Sequence, residues 1–190
     1  MSTDLKAIQK ILIAKSNKAA LAAHKNFVPG EGLEIYGVRT PVLNELAKQF
    51  KAGGFDLIKR LWDAGAFEEK LLAVKILQKI AKLDPVRSLK LVQYFAPGID
   101  NWAVCDAIGM QGLQTILKTH QKEIFALAKK YNSSKNFWER RLSLVLVEWY
   151  TRDASLHAEI KKLVRPLETD PEYYVRKAVV WINKNFTKGK

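Results

Sequence analysis

Apolar positions along this chain recur at intervals of three and four, the period of an amphipathic helix, and strand signals are missing. Phe55, Ile58, Leu61 and Trp62 trace one face of a helix over Phe55–Ala64. Leu71, Leu72, Val74, Ile76, Leu77 and Ile80 do the same over Glu68–Lys82. Thr40 before Pro41 reads as an N-cap with proline at the first helical position, and opens a helix over Pro41–Lys51 that Gly53 and Gly54 stop. Asp84–Pro85 caps a helix to about Phe95, and Pro97–Gly98 breaks the chain before a helix over Asn101–Leu113. Further helices are predicted over Gln121–Tyr131, Lys135–Tyr150, Ala154–Leu167 and Glu172–Phe186, the last opened by Asp170–Pro171. Leu33–Val38 reads as a short extended segment, and Gly30 and Gly32 in Pro29-Gly30-Glu31-Gly32 read as turn residues.

Helices joined this closely form either a compact bundle or a solenoid of helix pairs, and self-similarity decides between them. Phe137-Trp138-Glu139-Arg140-Arg141 can be laid on Tyr173-Tyr174-Val175-Arg176-Lys177, aromatic on aromatic and basic on basic, at a step of 36 residues. The same step back from Trp138 lands on Trp102, and two steps of about that size connect the basic pair to Lys70. A helix–turn–helix unit of this length cannot bury its own apolar face and must stack on its neighbours. The fold expected is therefore all-α: a superhelical array of antiparallel HEAT-like helix pairs, an α-solenoid with a basic concave face, forming a single domain over residues 1–190.

Composition narrows the partner. Thirty-two Lys and Arg against nineteen Asp and Glu give a net charge of +13. Such a surplus attracts a polyanion, nucleic acid first, although acidic proteins or anionic lipid would also answer to it. Sixteen of these basic residues lie in Lys118–Lys190, against eight acidic ones, and no long single-sign block occurs, so folding has to gather the charges. Apolar runs such as Leu142–Val147 are far shorter than the ~20 residues a membrane span needs. The N-terminal MSTDLKAIQK lacks the features of a signal peptide. Cys105, the only cysteine, excludes an internal disulfide framework. A cytoplasmic protein is expected.

The repeat places Trp102, Arg140–Arg141 and Arg176–Lys177 near the N-terminal ends of successive inner helices, on one face, with Trp138, Tyr173, Tyr174 and Trp181 beside them. Cations with interleaved rings suit nucleic acid, and tryptophans on helices are as readily core residues. Asp106 lies one turn after Trp102, among Val104, Cys105, Ala107 and Ile108, which is an unusual setting for a carboxylate. Such a group can stabilise a developing positive charge or orient a water nucleophile; equally, it can pair with an arginine of the next repeat and fix repeat stacking. His24, His120 and His157 have no second ligand at metal spacing, and no nucleophilic triad, phosphate loop or zinc-deaminase pattern is present.

Three segments together carry a resemblance. Tyr36-Gly37-Val38-Arg39-Thr40-Pro41 with Leu43–Lys48, Asn101-Trp102-Ala103-Val104-Cys105-Asp106, and Trp138-Glu139-Arg140-Arg141 followed by Tyr173–Trp181 resemble the DNA alkylation repair family of HEAT-like repeat proteins, the AlkD-like DNA glycosylases. The resemblance implies release of 3- or 7-alkylated purines from double-stranded DNA by a monomer, with no metal or cofactor. It implies that Asp106 is the catalytic carboxylate, that Trp102 and Trp181 flank the lesion-bearing nucleotide, and that Arg141 binds the DNA backbone. Trp138, Arg140, Arg176 and Lys177 are placed to assist at the phosphates. The chain departs from the family twice. Active members tend to carry an aromatic on an early helix where this chain has Ala22, Ala23 and His24, and here only nine residues follow Trp181. A non-catalytic binder of damaged or branched DNA, or a HEAT-type protein scaffold, are other readings of the same residues.

Overall fold

The computed structural model describes residues 3–28 and 32–188. Of the turn expected around Gly30 and Gly32, Pro29, Gly30 and Glu31 lie outside the described residues. The helices are α1 (Thr3–Ala14), α2 (Lys18–Phe27), α3 (Thr40–Phe50), α4 (Gly54–Ala64), α5 (Phe67–Ile80), α6 (Pro85–Phe95), α7 (Trp102–Ala107), α8 (Gln121–Asn132), α9 (Phe137–Val145), α10 (His157–Val164) and α11 (Tyr173–Lys188). Among the described residues there is no strand, and no helix is long and apolar enough to cross a membrane.

The helices sort into two rows. α3, α5, α7, α9 and α11 touch in succession, while α4 packs on α5, α8 packs on α9, and α10 reaches α8, α9 and α11. This is the expected α-solenoid of HEAT-like pairs. Its repeat step is written in the hydrogen bonds between units: Lys75 to Gln111 and Gln78 to Gln114 lie 36 residues apart, Arg141 to Asp106 35, and Asn185 to Glu148 37. Each apolar helix face is closed by the next unit, and one buried cluster runs from Leu5 to Ile182.

Local chemistry explains most element boundaries. Asp84 caps α6 by accepting the Arg87 N–H at 2.8 Å. α3 begins one residue earlier than expected: Thr40 is helical, and Arg39 holds the N-cap position without a side-chain cap bond. Leu33–Val38 forms no ladder. Its backbone donors go instead to buried Glu68, whose carboxylate accepts the N–H groups of Tyr36, Gly37 and Val38 at 2.8–2.9 Å. Gly37 sits at φ +80°, where a Cβ would lie 2.7 Å from that of Leu21, so only glycine lets this segment pass α2.

Two predicted helices are interrupted. Asn101–Leu113 is α-helical only to Ala107, then forms a π-turn over Ile108–Gly112. Within it Gly109 lies against α9, where a Cβ would come 2.6 Å from Val145 Cγ1. Lys135–Tyr150 is likewise divided into α9 and a 3₁₀ segment over Glu148–Arg152, in which Thr151 bonds the Glu148 carbonyl.

Candidate functional site

The N-terminal ends of α7, α9 and α11 converge on a cleft of about 440 Å³ lined by Trp102, Arg141, Tyr173, Tyr174, Lys177 and Asn26. Asn101 fixes the start of α7 by accepting the Val104 N–H at 2.9 Å, and Asn136 fixes α9 by accepting that of Trp138. Trp102 stands on the first residue of its helix, and Arg141 on the second turn of α9 facing it.

Arg141 is almost fully buried. Its Nε and Nη2 donate to the two oxygens of Asp106 at 3.0 and 2.9 Å, and Nη1 donates to the Tyr174 carbonyl at 2.6 Å. One side chain thereby joins three successive units, α7, α9 and α11. Asp106 keeps 19% of its side chain exposed, one turn beyond Trp102. Burial raises the Asp106 carboxyl above its ordinary value, and the Arg141 guanidinium opposes this without reversing it.

The neighbouring arginine behaves differently. Arg140 forks onto Asp170 in the opposite direction along the solenoid, Nε to Oδ2 at 2.6 Å and Nη2 to Oδ1 at 3.0 Å, and also bonds the carbonyls of Ser134 and Lys135. Burial pushes the Asp170 carboxyl up, but Arg140, the Glu172 N–H and the charge of Arg176 together hold it below its ordinary value. Asp170 is thus a compensated carboxylate, whereas Asp106 is under-compensated and keeps part of its side chain open.

The cleft collects Trp102, Arg141, Tyr173, Tyr174 and Lys177 from the residues singled out in the sequence, and Asp106 and Trp181 are not among its lining residues. Lys177 is exposed, with its ammonium 5.4 Å from the centre of the Tyr173 ring. Trp181 follows Lys177 by one turn and is half-buried against the core. Two of the residues expected at the phosphates are turned inward. Trp138 is 8% exposed, its ring packed on Tyr174 at 5.2 Å, and it supports the cleft from beneath. Arg140, 15% exposed in its side chain, is consumed by Asp170. Arg176 is exposed, but one guanidinium nitrogen bonds the carbonyls of Asp170 and Pro171. Asn26, at the end of α2, lines the cleft although no motif of the sequence points to it.

Trp102 is also a wall of a second, mostly apolar cavity of about 260 Å³, shared with His24, Val38, Leu43, Phe67 and Leu71. The early helix that lacks the expected aromatic still presents a ring there: His24 stands edge-on to Phe67 at 5.4 Å, with Nδ1 3.3 Å from Glu68. Among the described residues no group of three or more His, Cys, Asp or Glu is placed to hold a metal ion.

A family model described as DNA alkylation repair enzyme matches residues 8–189. No curated protein matches the sequence. Among solved structures, one described as "Predicted DNA alkylation repair enzyme from Enterococcus faecalis" is similar with a TM-score of 0.75 at 16% identity, covering 92% of this chain and 84% of that one.

Proposed function

The chain belongs to the DNA alkylation repair enzyme family, and from that premise we propose that it is a DNA glycosylase hydrolysing the N-glycosidic bond of cationic 3- or 7-alkylpurines in duplex DNA. The observation that carries this reading is Asp106: a carboxylate raised by burial, one turn from Trp102, oriented by Arg141 beside an aromatic and basic cleft.

A purine alkylated at N3 or N7 already carries positive charge and is a good leaving group. When the C1′–N bond breaks, the bonding pair leaves with the base, which becomes neutral, and the positive charge passes to the sugar. Water oxygen then bonds C1′ and gives up a proton. The transition state therefore needs a negative group near the sugar and a placed water, and little acid assistance. Each Asp106 oxygen accepts one Arg141 N–H and retains further acceptor capacity. The rings of Trp102 and Trp181 would favour a cationic nucleotide by roughly 0.5–2 kcal/mol each. Lys177, with Arg176, would engage backbone phosphates, while Arg141, buried and already engaged by Asp106 and the Tyr174 carbonyl, would orient the carboxylate. Detection of free methylpurine after incubation with methylated duplex tests this; intact DNA alone would reject it.

One observation favours a second reading. The fork between Arg141 and Asp106 ties two repeats together, as a purely structural pair would, which leaves a non-catalytic DNA binder with the same cleft. That protein would bind duplex DNA with a steep salt dependence and release no base.

A further inference from the structure

The stripe of α5 that leads away from the cleft holds a buried cation without an anion. Leu71 lines the cavity behind Trp102, and Lys75 follows it by one turn on the same helix face. Lys75 is 8% exposed, and its Nζ donates to Gln111 Oε1 at 3.4 Å, on the π-turn that continues α7 past Asp106. Among the described residues no carboxylate lies within 4.0 Å of it, whereas the other buried lysine of α5, Lys70, is paired with Asp100. The surroundings are neutral or basic: Gln78 bonds Gln114 across the same repeat step, and Lys79 lies one turn further along α5.

We propose that Lys75, with Gln111 and Lys79, is a phosphodiester-binding site that grips the DNA backbone next to the Trp102–Arg141 cleft. A buried ammonium is costly unless an anion compensates it, and here the protein supplies only amide oxygens. A DNA phosphate can supply the missing anion. Burial, then the charge of Lys79, lowers the Lys75 ammonium below an ordinary lysine, as expected of a cation waiting for its counter-ion. The π-turn matters because it carries the Gln111 amide oxygen to Lys75, where it holds the ammonium in place. The inference rests on DNA being the ligand of the cleft, and adds a second attachment point to it.

The test compares wild type with Lys75→Met, which keeps length and packing but removes the charge, and with Lys75→Arg, which keeps the charge. The free Lys75→Met protein is expected to melt at the same or a higher temperature. Its affinity for undamaged duplex should fall about five- to tenfold at low salt, and the slope of log K against log salt should shrink by about one. Lys75→Arg should retain the slope. Unchanged affinity and slope in Lys75→Met, with wild type binding normally, would overturn the site while leaving the proposed function standing. A wild type that does not bind duplex at all would overturn both. Inorganic phosphate at matched ionic strength should shift the melting temperature of neither protein; stabilisation of wild type alone would reassign the site to a free anion.

Discussion

Asp106 and Arg141, 35 residues apart, meet in a two-pronged pair at 3.0 and 2.9 Å, and the same guanidinium also holds the Tyr174 carbonyl. The pair has the geometry that both sequence readings of Asp106 require, a charge-stabilising carboxylate and a stacking ion pair. Arg141 fixes the orientation of Asp106 and spends donors on repeat stacking. Burial keeps the carboxyl above its ordinary value even so. The Arg140–Asp170 pair, built from the adjacent residue, shows what a purely structural fork looks like here: its carboxyl is held low.

Arg141→Ala is expected to cost about 3–5 kcal/mol of folding stability, because it leaves Asp106 buried without a partner. It should also abolish any base release while the protein remains folded at low temperature. Chemical denaturation and circular dichroism check the first; a variant as stable as wild type would show that the fork contributes little.

Arg140→Ala should likewise be destabilising, yet its DNA affinity per folded molecule should stay near that of wild type. Asp170, with its lowered folded value, contributes stability that is present above its unfolded value near 3.8 and lost as pH falls through the lower folded value. In Arg140→Ala that loss should move to higher pH, read as melting temperature against pH. A large drop in affinity at full folding would instead make Arg140 a phosphate ligand.

Base release should fall on the acid side as Asp106 is protonated, with a midpoint above the ordinary carboxyl value of 3.8. The stability sign is opposite to that of Asp170: a raised folded value means that ionising Asp106 costs stability as pH rises from the unfolded value through the folded one. A rate profile with no acid limb, measured under single-turnover conditions, would remove the carboxylate from the chemistry.

Much of this was legible in the chain. The 36-residue step and the cap at Asp84 can be read directly from the chain, and the step carries the solenoid and the convergence of Trp102, Arg141 and Lys177. What escaped depends on three-dimensional neighbours. Arg140 and Arg141 are identical in type and adjacent, and only the packed structure shows that one turns to Asp170 and the other to Asp106. Trp138 sits in a motif with polar neighbours, yet Tyr174 and Phe137 cover its ring. The break after Ala107 lies where Gly109 packs against Val145, 36 residues away, a contact that no local propensity encodes. Asn26 enters the cleft from α2, and no motif of the sequence marks it as a neighbour of Tyr173 and Lys177.

The central claim is that the Asp106 charge drives cleavage of the glycosidic bond, and single-turnover release of free 3- or 7-methylpurine from methylated duplex tests it most directly. Wild type should release free base. Asp106→Asn keeps shape but loses charge, and should be slower by about 10²-fold or more. It should lose about 1–3 kcal/mol of stability as Arg141 is left half-satisfied, and be assayed where circular dichroism shows it folded. Its DNA affinity should be unchanged or higher, since a negative charge near phosphates is gone. No base release by wild type, or wild-type release by folded Asp106→Asn, would contradict the account.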